Sequence, residues 1–449
     1  TLVGTGGVGK TRLALAAARR VLEDFYHGVW CVPLAEMAHT GSPAFSNSFE
    51  RRNTLALSIA EKLALTFSGP RAPQAQLLDY LRDKELLLLL DSLEQLRDVG
   101  SDFILKVLQI APHVTVLVTS RRRLNLQAEY IFRVAGLPVP VTTGDHEAPT
   151  YSGVRLFVER AERTPSGFML DEDNLPHVIR ICQLLEGLPL GLELAAARVG
   201  QLSLAEIASA IQQNLGFLAT SMRDLPERHR SLWSVFEGSW HLLSEVEQAA
   251  LAQAAIFRGG FRQAAALAVM EVGAEVLASL TEQSWLQPAA SGRYSMHGLV
   301  RQFASEKLQE MERDDATMGE AARERHSAFY LDFVARQEAS LNGSAPHKAC
   351  AAFWDEERNV RLAWRWAMNH ARFEALSRSV GGLARFFQLV GLFREGEMVF
   401  RITAERLRAL VEAAEKPERD AQIALEKLLL EQARLLNAQA SAGVTPARG

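Results

Sequence analysis

Lys10 and Thr11 close the run Gly4-Thr5-Gly6-Gly7-Val8-Gly9-Lys10-Thr11, whose residue types and spacing suit a chain of phosphates. The run satisfies G-x-x-x-x-G-K-[ST]. In that motif backbone N–H groups wrap a β-phosphate, the lysine reaches the β- and γ-phosphates, and the hydroxyl holds Mg²⁺. Its first six residues also satisfy G-x-G-x-x-G, the dinucleotide turn, which needs neither Lys10 nor Thr11. A dinucleotide site also wants an acid for the ribose at the end of the second strand. That strand is expected at "GVWCVPL", residues 28–34, and the next acid is Glu36, which comes late. A glycine-rich turn with no ligand would leave Lys10 and Thr11 unexplained. The triphosphate loop accounts for both.

Further chemistry is expected from residues distant in sequence. Asp91 ends the apolar stretch "ELLLLLD". An acid at the carboxyl end of a parallel strand faces the same edge as the phosphate loop and can hold Mg²⁺ there. The plainer alternative is a helix cap, since Asp91-x-x-Glu94 and Ser92-x-x-Gln95 both resemble capping boxes. Hydrolysis needs a group to orient water. Ser92 cannot serve as a base near neutral pH, and Glu94 is the nearest carboxylate, equally suited to a helix first turn. Slow hydrolysis is the consequence. Arg121, at the end of "VTVLVTSR", could sense a γ-phosphate or could belong to a solvated basic turn with Arg122 and Arg123. Pro189, in "EGLPLGLELAAARV", reads by itself as a helix start. His297, in "YSMHGLVRQFA", reads by itself as a packed or solvated histidine.

The elements that must position these residues alternate over residues 1–140. Apolar strands and amphipathic helices follow one another, the pattern of a doubly wound parallel sheet. Strands are expected at "TLV", "GVWCVPL", "ELLLLLD", "VTVLVTSR" and "YIFRVAGL", with helices at "KTRLALAAARRVLEDF" and "LALSIAEKLAL". A Pro-, Gly- and Thr-rich linker follows. Residues 141–222 are then expected to form a helical domain. Residues 223–312 are expected to form a winged helix, in which the segment from Leu242 to Phe303 would supply two helices, a Gly-Gly turn, a third helix and a two-stranded ribbon. Residues 313–449 read as Ala-, Leu-, Arg- and Glu-rich helices with an aromatic stripe. There "GLFREGEMVFRITAERL" has the spacing of one tetratricopeptide helix pair. Part of the first strand is expected upstream of Thr1, and further repeats beyond Gly449.

Composition narrows the function classes. The 449 residues carry a net charge of -4, so nothing global argues for a polyanionic partner. Three scattered cysteines, Cys31, Cys182 and Cys350, suggest neither a disulfide framework nor a zinc site. With no apolar run of membrane-spanning length and no signal peptide, the expectation is a cytoplasmic protein without a membrane partner.

Taken in order, GTGGVGKT, LLLLLDSLEQL, VTVLVTSR, EGLPLGLELAAARV, the "LLSEVEQAAL" and "FRGGF" pair and YSMHGLVRQFA resemble the NB-ARC-type STAND ATPases. These are signal-transduction proteins that include bacterial transcriptional regulators and immunity proteins. The motifs span residues 1 to about 305, and the helical remainder looks like the family's tetratricopeptide sensor region. The resemblance implies an α/β P-loop NTPase domain followed by a helical domain, a winged helix and an α-solenoid. It implies ATP or ADP with Mg²⁺ held by Gly4, Gly6, Gly7, Val8, Gly9, Lys10, Thr11 and Arg12. Thr11 and Asp91 would bind the metal, and Lys10, Asp91, Glu94 and Arg121 would form the catalytic set. Pro189 would pack on the adenine, and His297 would reach the β-phosphate of ADP to hold a closed state. Ser92 stands where many relatives have a second acid, and Gly298 where they have the Asp of Met-His-Asp.

The implied mechanism is a switch: ADP holds an inactive state, while ATP and a signal at the helical region favour an oligomerising one. Only differential affinity for the two states can shift the balance. Rival readings are a helical scaffold with a structural nucleotide and a DNA-binding regulator acting through the winged helix. From Gln263 to Gly292 there is no Lys or Arg, so that element is expected not to bind DNA.

Overall fold

The structure, a computed structural model, describes residues 1–34, 48–145, 147–164, 167–213, 215–218, 231–289, 291–413 and 418–441. Glu36, the alternative ribose acid, and the boundary near residue 222 lie outside the described residues. The chain divides into two compact units. One holds Thr1–Ser244 with Ala278–Leu286 and His297–Phe303, and the other holds Glu245–Leu277, Gln287–Met296 and Ala304–Gly449.

In the first unit β1 (Leu2–Val3) runs through the glycine-rich loop into α1 (Lys10–Arg20). There follow β2 (Val29–Pro33), α2 (Ser48–Lys62), α3 (Pro73–Leu81), β3 (Leu86–Asp91), α4 (Arg97–Ile110), β4 (Val114–Ser120) and β5 (Phe132–Arg133). The strands form a five-stranded sheet in the order β2-β3-β4-β1-β5 with every pairing parallel. The leucine strand explains why the sheet is covered on both sides. Leu86, Leu88 and Leu90 join the core built by α2, α3 and α4, while Leu87 and Leu89 face Ala14 and Ala18 of α1. A strand buried on both faces must be apolar at every position until it reaches its edge, where Asp91 stands. Register then sets the edge: Val3 lies opposite Ser120, Leu90 opposite Val118, and Pro33 opposite Asp91. The helix α3 was not expected from the sequence; Pro73 at its first position starts it.

Helices complete this unit: α5 (Ser152–Ala161), α6 (Leu175–Leu184), α7 (Pro189–Ala196), α8 (Leu204–Gln213) and α9 (Leu232–Trp240). An aromatic cluster of Trp233, Phe236, Trp240, Trp285 and Phe303 packs beside α9.

The chain continues as α10 (Glu245–Ala254), β6 (Phe261–Arg262), α11 (Gln263–Met270), α12 (Ala274–Glu282), β7 (Gln287–Pro288), β8 (Arg293–Ser295) and α13 (Gly298–Asp314). Here the structure departs from expectation. One helix, α10, precedes Gly259-Gly260 in this segment where two were expected, and two, α11 and α12, follow before the ribbon. Both glycines have positive φ, and a Cβ at Gly260 would meet the Tyr294 carbonyl oxygen at 2.7 Å. That close approach lets β6 join the ribbon as a three-stranded antiparallel sheet, β6-β8-β7. The apolar stretch read as one helix breaks where Glu271 turns left-handed, at φ 55.

In the second unit α14 (Ala316–Leu341) packs on α15 (Pro346–Asn369) and α16 (Phe373–Val390), and α18 (Arg419–Ser441) packs on α16 and on α17 (Phe393–Ala413). Stacked Phe353 and Phe386, 4.0 Å between ring centroids, are part of its core. At 18 and 21 residues, α16 and α17 together exceed the roughly 34 residues of a tetratricopeptide unit. Among the described residues no single helix is long and apolar enough to cross a membrane.

Candidate functional site

The carboxyl edge of the parallel sheet gathers Lys10, Thr11, Asp91, Glu94 and Arg121. Gly7 and Gly9 take φ values of 77 and 96, conformations that side chains other than glycine rarely adopt, and Gly9 leads directly into α1. A Cβ at Gly4 would meet the Val134 carbonyl oxygen at 2.6 Å, and one at Gly6 would overlap Val235 of α9. Steric demand therefore requires glycine along the loop. Val8 is buried. Lys10 folds back so that its Nζ donates to the carbonyl oxygens of Gly4 (2.8 Å) and Thr5 (2.9 Å). Burial holds the Lys10 ammonium down to a pKa of about 8; the charge of Arg121 adds to the shift, and Glu94 and Asp91 oppose it.

Thr11 Oγ1 donates to Asp91 Oδ1 at 2.7 Å, and Thr119 Oγ1 donates to the same oxygen at 2.5 Å. Thr119 in turn accepts the N–H of Ser92 at 2.8 Å. Asp91 is thus bonded to two hydroxyls, an arrangement the capping reading did not foresee. Ser92 sits at φ 64, and its N–H points back to the sheet edge. Glu94, 7% exposed, pairs with Arg121 Nε at 3.3 Å. Its other oxygen, Oε2, is buried with no hydrogen-bond partner among the described residues. A Cβ at Gly6 would lie 3.8 Å from Arg121 Nη2, so the guanidinium stands beside the loop. None of the three arginines makes a purely solvated turn. Arg122 donates to the Leu242 carbonyl at 3.3 Å, and Arg123 donates to Glu282 at 2.5 Å.

These groups fit magnesium and a phosphate chain. The hydroxyl and the carboxylate oxygen converge at hydrogen-bond distance, as two ligands of one hard cation must. The ammonium rests on carbonyls that phosphate oxygens could replace, and the buried Glu94 Oε2 still needs a partner.

The start of α7 lies on the same loop. Pro189 is its first residue, and the Leu190 N–H donates to the Gly7 carbonyl at 3.2 Å. A Cβ at Gly9 would touch Pro189 Cγ at 4.0 Å. Pro189 is thus both a helix start and a neighbour of the loop. Arg12 turns away to the rim, 71% exposed, where it meets Glu193 of α7 at 2.9 Å; Arg160 of α5 shares that carboxylate. His297 is 12% exposed and pairs through Nε2 with Glu186 at 3.3 Å. Burial keeps its imidazole below the ordinary value; Glu186 opposes the shift and Arg301 adds to it.

Three residues of this arrangement were missed in the sequence: Thr119, Glu186 and Glu193. Thr119 carried a signal, being a polar residue at the edge end of a largely apolar strand whose neighbour ends in Asp91. Glu186 and Glu193 lie within EGLPLGLELAAARV, but nothing in their type marked them, since a glutamate on or beside a helix is usually solvated.

No family model matches the chain. It is 30% identical over 391 residues to the "Putative HTH-type transcriptional regulator Rv0890c" of Mycobacterium tuberculosis, a match covering 84% of this chain and 40% of that protein. It is 28% identical over 350 residues to the "Regulatory protein AfsR" of Streptomyces coelicolor, covering 76% of this chain and 32% of AfsR. The chain thus spans well under half the length of either regulator. A crystal structure of a STAND protein with a tetratricopeptide repeat sensor from Pyrococcus horikoshii aligns with 98% of this chain and 62% of that one. The identity is 14% and the TM-score 0.27, too slight a likeness to argue from. The "Uncharacterized protein Rv0894" of M. tuberculosis is 31% identical over 329 residues, 71% of this chain and 78% of that protein. On that match, the chain belongs to the family of the mycobacterial protein Rv0894.

Proposed function

We propose that this chain is the nucleotide-binding and signal-coupling part of a STAND-type transcriptional regulator, a switch set by ATP or ADP with Mg²⁺. The observation that carries the reading is the meeting of Thr11 Oγ1 and Asp91 Oδ1, 2.7 Å apart, beside a loop whose lysine is held on its own carbonyls. In that reading the loop N–H groups and Lys10 hold the β- and γ-phosphates, and Thr11 and Asp91 hold the metal. A bound Mg²⁺ would neutralise phosphate charge. Arg121 stands beside Gly6 to sense the γ-phosphate, and Pro189 meets the base. Glu94, engaged by Arg121, is the residue available to orient water. With Ser92 next to Asp91, turnover is slow and suits a timer better than a metabolic enzyme. The names of Rv0890c and AfsR support a regulatory output, and the helical second unit would receive the signal. Residues 223–312 would act as a winged helix, residues 141–222 as the helical domain, and residues 313–449 as a tetratricopeptide-like sensor. Self-association in the ATP state would complete the switch.

The test is calorimetry with both nucleotides. Lys10→Ala removes the main counter-charge and is expected to weaken ATP and ADP at least about tenfold, 1.4 kcal/mol. Equal affinity in the variant and the parent would end the phosphate-loop reading.

A further inference from the structure

The turn between α6 and α7 joins the phosphate loop to a distant helix through Glu186, the first residue of the EGLPLGLELAAARV stretch and one to which no role was given. Glu186 and Gly187 both take left-handed backbone, at φ 48 and φ 68. The turn is held at three points. The Gly187 carbonyl accepts from Leu137 N at 2.8 Å, and a Cβ on Gly187 would overlap the Leu137 carbonyl oxygen. Leu190 N donates to the Gly7 carbonyl at 3.2 Å. The Glu186 carboxylate spans the start of α13: Oε1 accepts from Gly298 N at 2.6 Å, and Oε2 meets His297 Nε2 at 3.3 Å.

His297 is set for this contact. Its Nδ1 accepts from Leu299 N at 3.2 Å, so in the neutral ring the proton lies on Nε2, facing Glu186. Two of the otherwise unpaired N–H groups of the first turn of α13 are thereby satisfied, one by His297 and one by Glu186. Gly298 leaves the room. A Cβ there would come within 2.8 Å of Glu186 Oε1, so an alanine at this position would press on the carboxylate.

We propose that Glu186 is a positioning residue: it ties the first turn of α13 to the turn that seats Leu190 on Gly7, so that movement at the start of α13 is transmitted to the phosphate loop. The link itself rests on geometry alone; its consequence for a nucleotide rests on the switch reading above.

Amide hydrogen exchange on the full chain without nucleotide tests the link. Glu186→Ala removes both acceptors and is expected to speed exchange at Gly298 and, four residues along the chain from the altered side chain, at Leu190, each at least tenfold. Gly298→Ala displaces the carboxylate while leaving its charge in place, and should loosen Leu190 in the same direction. Glu186→Gln keeps one acceptor and should have a smaller effect, and it carries the test if the alanine variant does not fold. Faster exchange at Gly298 with Leu190 unchanged would reduce Glu186 to a helix cap and overturn the proposal. The readout needs no nucleotide, so it is independent of whether the chain binds one. If ADP binds and Glu186→Ala leaves Leu190 protected, the link fails while the switch reading stands.

Discussion

Two buried polar networks in this chain look alike in density and differ in how their members are satisfied. At the sheet edge of the first unit, an ammonium leans on two carbonyls and two hydroxyls share one carboxylate oxygen. In the second unit, beside the β6-β8-β7 ribbon, Arg293 grips Glu356 with both terminal nitrogens, Nη2 to Oε2 at 3.1 Å. There Asn359 spends its whole amide: Oδ1 accepts from Arg258 N at 2.7 Å, and Nδ2 donates to the Gly260 carbonyl and to Glu356 Oε2. Burial opposes the Arg293 charge, yet Glu356, helped by Tyr330 and Asp355, outweighs it and leaves the pKa raised. For Lys10 burial wins. A charge whose partner outweighs its desolvation belongs to a brace. A charge left short of a partner marks a place where a ligand can enter.

The largest expected effects separate the two networks cleanly. Glu356→Ala strands a half-buried guanidinium and should cost at most the roughly 3–5 kcal/mol of a fully buried pair, read as a lower denaturation midpoint, with ADP affinity unchanged. Lys10→Ala should do the reverse, leaving the midpoint near that of the parent while nucleotide affinity falls. If both variants lose stability equally, the distinction between brace and site collapses.

The second contrast is in pH. The Lys10 pKa is lowered from 10.5 to about 8 in the folded chain. Between those values the unfolded chain binds the proton and the folded one does not, so stability rises with pH across that window. Phosphate binding favours the ammonium, so ADP affinity should fall as pH rises through about 8, approaching tenfold per unit above it. Isothermal titration from pH 7 to 9.5 would show this fall, and Lys10→Ala should flatten it. A flat profile in the parent would mean that Lys10 already has the partner it needs.

The sheet edge was more legible in sequence than the brace. Leu86–Leu90 announced a strand covered on both faces, and Asp91 then stood out as its polar end. Glycines at 7 and 9, followed by Lys10, announced the loop. Nothing local marks Glu356 or Asn359, because each looks like any polar residue on a long helix; burial by the ribbon is a long-range fact. The same holds for Glu186, whose partners are more than one hundred residues away in sequence. The ribbon itself was misread since Gly259-Gly260 looked like a turn between helices, while their positive φ angles open a third strand.

A smaller effect is expected at Glu94, between the loop and the β4 edge. Glu94→Gln keeps its shape and loses its charge. If the carboxylate orients water, steady-state ATP hydrolysis should drop several-fold with ATP binding intact. If it serves only to hold Arg121, the rate should stay and the melting temperature should fall modestly, since removing one partner leaves the other charge partly buried. Rates and melting curves on the same samples distinguish the two.

The smallest expected effect is none at all, when the chain meets DNA. A winged helix that reads a duplex needs cations on its recognition helix and wing, because phosphate contacts supply most of the affinity. From Gln263 to Gly292 there are none, while Glu271, Glu275 and Glu282 are acidic. The arginines bordering that stretch are engaged within the second unit. Arg262 pairs with Asp355 at 3.1 Å, Arg293 with Glu356, and Arg258 Nη1 donates to the Ala255 carbonyl at 2.6 Å. The helix α11 packs on α14, and Arg325 of α14 holds its end through the Val269 carbonyl and Glu271. Charges already engaged by carboxylates or backbone carbonyls are poorly placed to neutralise phosphates, so a titration with random-sequence duplex should give no salt-sensitive binding through this face. Each phosphate contact would add close to one unit to the slope of log affinity against log salt. A slope of several units, lost when α11 is altered and kept when other basic surfaces are, would show that the ribbon network opens to expose its arginines, and would turn the brace into a site.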